Sequence, residues 1–172
     1  LNKQKLACLA LLACAATSCQ QQPAPEGKVA AQAATAATHK LRPEEIGVTL
    51  QALGPGSQNP NGTYTIPVRI RNTGKVSMSG ANNPPVNVGV KIDSLDGKGA
   101  VTDFARTPLP DIKPGEAKDV AVLVPVDPRL DGHTLSIELV QEHVGWFSNM
   151  GQPGIHVGPY TVCGKSLCTT AH

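Results

Sequence analysis

From Arg42-Pro43 onward, apolar side chains recur at every second residue in short runs, a spacing that matches extended strands and not helices. Ile46, Val48, Leu50 and Ala52 fall on one side, with Gly47, Thr49 and Gln51 on the other. Tyr64, Ile66, Val68 and Ile70 repeat the pattern opposite Thr65, Arg69 and Arg71, and Val86, Val88, Val90 and Ile92 repeat it against Asn87, Lys91 and Asp93. Val101 to Ala105 is a weaker run, Val120 to Val126 and Leu135 to Leu139 are strong ones, and Gly154 to Val162 offers a last strand. Turn-forming clusters separate them: Gly54-Pro55-Gly56, Asn59-Pro60-Asn61-Gly62, Asn72-Thr73-Gly74, Leu95-Asp96-Gly97, Pro114-Gly115-Glu116 and Asp131-Gly132. Pro108 and Pro110 remove ladder donors, which places their segment at an edge or at a crossing between sheets. The expected fold is all-β, an immunoglobulin-like antiparallel sandwich of seven or eight strands over residues 43–162, with residues 163–172 as a tail.

The N-terminal part has a different grammar. Lys3 and Lys5 form a positive start, Leu6 to Ala16 an apolar run, and Thr17-Ser18-Cys19 a small-residue exit, the order of a secretory signal over residues 1–18. The run is shorter than the roughly 20 residues that a permanent spanning helix needs. Ala16-Thr17-Ser18-Cys19 resembles a bacterial lipobox, whose cysteine is acylated and becomes the mature N-terminus. Cys14, after Leu11-Leu12-Ala13, is the alternative acylation site, though it leaves the apolar core short. Gln20 beside Cys19 resembles the sorting pattern of outer-membrane lipoproteins. Residues 19–42 read as a lipid-anchored tether of Gln, Ala, Pro and Thr, too poor in large apolar groups to offset the entropy of ordering. A coil of that length reaches on the order of 25 Å, enough to hold a domain clear of a membrane.

Composition narrows the partners. With Lys3 and Lys5 assigned to the signal, 13 of the 15 basic residues remain against 13 acidic ones. A neutral chain with no Lys/Arg cluster lacks the basic face that releases phosphate counterions, so nucleic acid is not an expected partner. Only 3% of the residues are aromatic, so Tyr64, Phe104, Trp146, Phe147 and Tyr160 are the few large rings available to core or site. Cys8, Cys14 and Cys19 belong to the signal region, which leaves Cys163 and Cys168 to pair as a disulfide in an oxidising compartment. Four intervening residues at the chain's tail favour a structural clasp over a redox pair.

Several segments, in order, look like an immunoglobulin-like domain found at the C-terminus of O-antigen ABC-transporter ATPases and appended to many bacterial glycosyltransferases and methyltransferases. They are Asn72-Thr73-Gly74, Pro85-Val86-Asn87-Val88-Gly89, Arg106-Thr107-Pro108-Leu109-Pro110, Lys113-Pro114-Gly115-Glu116 and, most specific, Leu139 to Ser148, which reads LVQEHVGWFS. Together they span roughly Ile46 to Val157. The resemblance implies the fold and a carbohydrate-binding or accessory role. The chain departs from the family at Ser77-Met78-Ser79 and Val90, where an aromatic is usual, and at His143, where glycine is common. The absent rings remove candidate faces for sugar stacking.

Arg106, Gln141, Glu142, His143, Trp146 and Ser148 are the candidate contacts to a ligand or partner. Two readings compete at Gln141 to Ser148. In one, its polar groups and Trp146 are presented to a glycan or a protein; in the other, Trp146 or Phe147 plugs the core and Gln141 or Glu142 satisfies loop backbone. The second is favoured here, with Trp146→Ala then costing about 3 to 5 kcal/mol. His39, His133, His143, His156 and His172 have no metal-ligand spacing, and no nucleophile elbow or phosphate-cradling glycine loop is present. The expectation is therefore a non-catalytic lipoprotein of the bacterial envelope, lipid-anchored at the outer membrane, with no cofactor or metal. Its partners are the membrane, through the lipid, and an envelope glycan. A protein-interaction or scaffolding role in an outer-membrane or secretion assembly is the alternative.

Overall fold

A computed structural model describes residues 39–94 and 100–169. The expected signal, Cys14, Cys19, the tether up to Thr38 and the Leu95-Asp96-Gly97 turn lie outside the described residues. Within them the chain is all-β and its sheets are antiparallel. The strands are β1 (Val48–Ala52), β2 (Ser57–Gln58), β3 (Thr63–Asn72), β4 (Val86–Ile92), β5 (Val101–Pro108), β6 (Ala117–Pro125), β7 (Leu135–Gln141), β8 (Gly145–Trp146), β9 (Ile155–Val157), β10 (Tyr160–Cys163) and β11 (Ser166–Thr169). Eleven strands among the described residues exceed the expected seven or eight. The surplus comes from the two-residue pieces β2 and β8, from β11, and from a break in the last expected strand. That break falls at Gly158, with φ 107°, and Pro159, which has no N–H to donate.

In the four-stranded sheet β3 is central. It pairs with β6 along one side and with β1 and β2 along the other. The five-stranded sheet runs β5-β4-β7, with β8 and β9 both paired to β7. Period-two alternation turns one face of each strand inward: Ile66, Val68, Ile70, Val122 and Val124 from the first sheet, and Val86, Val88, Val90, Ile137 and Leu139 from the second, join one buried apolar cluster. Burying each such side chain stabilises by about 1.5 to 3 kcal/mol, which is why the alternation dictates the strand faces. β5, which ends at Pro108, is an edge strand as its proline demands.

Two local devices close the ends. Asn72 is fully buried; its Nδ2 donates to the Val76 and Ile112 carbonyls at 2.8 and 2.9 Å, and its Oδ1 accepts from Gly74 N–H at 2.9 Å. A Cβ on Gly74 would lie 2.6 Å from Gly47 N, so the Asn-Thr-Gly turn needs its glycine for close backbone approach. At the far end Cys163 and Cys168 are disulfide-bonded across the β10–β11 hairpin. The hairpin is more than a clasp, because Tyr160 and Leu167 both enter the core. Tyr160 meets Tyr64 edge-on at 5.8 Å, and burial, with Tyr64 beside it, pushes its phenol up to about 12.

Candidate functional site

After β7 the chain turns back and pairs along it in two pieces, β8 at its end and β9 at its start, with a 3₁₀ turn Phe147–Met150 between them. The register Val140↔Trp146 sends Trp146 to the outward side of the sheet. Phe147, one residue on, points inward and is fully buried. Alternation corrects the favoured expectation that Trp146 is a core ring: Phe147 fills the core, and Trp146 lies half-buried on the outer face of the five-stranded sheet.

The ring rests on Gly89 of β4. A Cβ there would come within 2.4 and 2.7 Å of ring carbons of Trp146, so only glycine lets the indole settle on the strand. Lys91 Nζ sits 3.9 Å and the Arg106 guanidinium carbon 4.4 Å from the ring centroid, both within cation–π range. Carboxylates compensate each cation. Glu138, only 3% exposed, takes Lys91 on Oε1 and the Ser148 backbone N–H on Oε2 at 3.0 Å. Glu142 Oε1 accepts from Arg106 Nε at 3.1 Å and from Asn87 Nδ2 at 2.8 Å, while Asp103 holds Arg106 Nη1 at 2.8 Å. The result is a patch of two cations and three carboxylates around one indole, dense in donors and acceptors.

Of the six expected contacts, Arg106, Glu142, Trp146 and Ser148 come together here. Gln141 does not. Its side chain points to the core side, fully buried, where Oε1 accepts from Leu41 N–H at 2.9 Å and Nε2 donates to the His39 and Pro84 carbonyls at 2.8 and 3.3 Å. It is the backbone-satisfying residue expected at this strand end, whereas Glu142 binds side chains instead. His143 is exposed in the turn with φ 60°, a left-handed conformation that glycine adopts without cost. Asn87, Gly89, Lys91 and Glu138 were not singled out from sequence. Their cue was present, since Asn87, Gly89 and Lys91 alternate on the outward side of one strand, with a glycine mid-strand. The partner strands that complete the patch were not readable. Among the described residues no group of three or more His, Cys, Asp or Glu is placed to hold a metal ion.

No protein-family model matches the chain, and no curated protein matches it. Among solved structures it is similar to a β-glucosidase from Streptomyces venezuelae in complex with D-glucose, at 16% identity and a TM-score of 0.35 over 65% of this chain and 15% of that one. It is similar, too, to a β-glucosidase involved in saponin metabolism from intestinal bacteria, at 18% identity and a TM-score of 0.36 over 65% of this chain and 16% of that one. The chain therefore matches about a sixth of the length of either enzyme, and neither activity is carried over.

Proposed function

We propose that this chain is a non-catalytic, lipid-anchored module of the bacterial envelope whose immunoglobulin-like sandwich recognises a cell-envelope glycan through the outer face at Trp146. One observation carries the reading: an indole seated on Gly89 outside the core, ringed by Asn87, Lys91, Arg106 and Glu142. Sugars are bound by such pairings, in which an aromatic ring packs against CH groups and fixed polar side chains take the hydroxyls. The two apolar layers contributed by the four- and five-stranded sheets support the sandwich assignment. The resemblance of Leu139 to Ser148 to a carbohydrate-binding domain points to the same ligand class, and the N-terminal lipobox-like segment to the same compartment.

The test is binding of the exported chain to an array of bacterial O-antigen and capsular oligosaccharides, paired with thermal denaturation. Trp146→Ala should abolish glycan retention while costing only about 1 to 2 kcal/mol, because the ring is half outside the core. Gly89→Ala should lift the ring and weaken retention without unfolding the domain. Failure of every glycan to bind, or retention unaffected by Trp146→Ala, would overturn the reading in favour of the protein-interaction role.

A further inference from the structure

The outer face of the four-stranded sheet holds a groove of about 480 Å³ lined by Thr49, Leu50, Gln51, Arg69, Arg71 and Ala117. That volume lies within the roughly 300 to 1,000 Å³ typical of small-ligand sites. Strand register arranges the groove in two parallel rows, Gln51–Arg69–Asp119 and Thr49–Arg71–Ala117, across β1, β3 and β6. In the first row Arg69 donates from Nε and Nη2 to both carboxylate oxygens of Asp119, at 2.7 and 2.8 Å. Those hydrogen bonds hold the Asp119 carboxyl below its usual range. In the second row the residue at the register position of Asp119 is Ala117, and among the described residues no carboxylate pairs with Arg71. One sheet face thus carries two guanidinium groups, one with its carboxylate and one without.

We infer that this groove is a second binding site, taking a carboxylate-bearing sugar of an acidic glycan, with the ligand carboxylate above Ala117 engaging Arg71 as Asp119 engages Arg69. The planar guanidinium fork matches a carboxylate through two parallel hydrogen bonds. The Thr49 hydroxyl and the Gln51 amide border the same groove and supply partners for sugar hydroxyls. The absence of a side chain beyond Cβ at Ala117 leaves the space that the ligand group occupies. The register gives the place where a carboxylate fits; the choice of a sugar as its carrier rests on the glycan reading above. The Trp146 patch carries three carboxylates against two cations and so disfavours an anionic ligand, which leaves the acidic sugar to the Arg71 groove.

Isothermal titration of the full chain with hexameric oligogalacturonate tests the site, with a neutral glucan hexamer, inorganic phosphate and hexaglutamate as comparisons. Oligogalacturonate should bind and the neutral glucan should not bind at this groove. Arg71→Ala should weaken oligogalacturonate at least tenfold, and Ala117→Asp, which gives Arg71 an internal carboxylate, should do the same. Both variants should keep the parent's melting temperature, and Trp146→Ala should leave this binding unchanged. Absence of binding, or binding indifferent to Arg71→Ala and Ala117→Asp, overturns the site. Displacement by equimolar phosphate overturns the carboxylate assignment. Preference for hexaglutamate with the same Arg71 dependence overturns the sugar. Failure of the Trp146 reading appears separately, as array binding that ignores Trp146→Ala.

Discussion

Gln141 shows how one side chain can tie distant parts of the chain together. Its amide closes hydrogen bonds to backbone at His39, Leu41 and Pro84, and so pins the segment of residues 39–41 and the Asn83-Pro84 turn to the end of β7. Gln141→Ala strands the Leu41 N–H in a dry site, and an unsatisfied buried donor costs about 1 to 3 kcal/mol. Urea denaturation should register that loss as a lower midpoint with an unchanged slope. Limited proteolysis should at the same time cut the variant near Arg42 faster than the parent. A midpoint and a cleavage rate both equal to the parent's would show that the pin carries no weight. Phe147 and Trp146 make the complementary point, since adjacent residues of similar chemistry receive opposite fates from a single change of strand face.

The β10–β11 hairpin is the element whose role grew most between sequence and structure. Residues 163–172 read as a tail with a clasp. In the folded chain Tyr160↔Thr169 through Cys163↔Ser166 form a ladder, and Leu167 reaches the core. Its turn is Gly164-Lys165, with Gly164 at φ 66° supplying the left-handed residue that tight hairpins require. Closing so short a loop removes little chain entropy, so the disulfide contributes about 2 kcal/mol in the loop-closure model. Replacing Cys163 and Cys168 by Ser together should lower the melting temperature by roughly 6 to 12 °C, using about 3 to 6 °C per kcal/mol for a domain of this size. The transition should stay cooperative, because the Tyr64–Tyr160 contact and Leu167 still hold the hairpin down. A second, earlier transition in calorimetry would show instead that the hairpin depends on the bridge for its docking.

At the scale of the whole molecule, stability rests on one apolar cluster to which both sheets contribute. Phe147 is the bulkiest of its fully buried side chains. Phe147→Ala should cost about 3 to 5 kcal/mol, a large share of the 5 to 15 kcal/mol that typical domains possess. Near-ultraviolet circular dichroism and urea denaturation should both report the loss, and a cost no greater than that of Trp146→Ala would mean the two rings have been assigned to the wrong faces. The strand faces were legible beforehand. Val86, Val88, Val90 and Ile92, or Ile66, Val68 and Ile70, alternate because a strand displays its side chains in alternation and only one side is dry. The disulfide was legible too, as was the backbone-satisfying role of Gln141, whereas Trp146 outside the core and Glu142 bound to side chains ran against the favoured reading. Pairing partners were not, because register across strands far apart in sequence depends on the whole sheet assembling at once. Local pattern therefore determined which residues are strand, which face the core, and that Asn72-Thr73-Gly74 is a turn. Only the tertiary structure decided that Gly89 lies under Trp146, that Glu138 and Glu142 neutralise Lys91 and Arg106, and that Arg71 faces Ala117 where Arg69 faces Asp119, since each of these is a cross-strand neighbour relation that no single stretch of sequence contains.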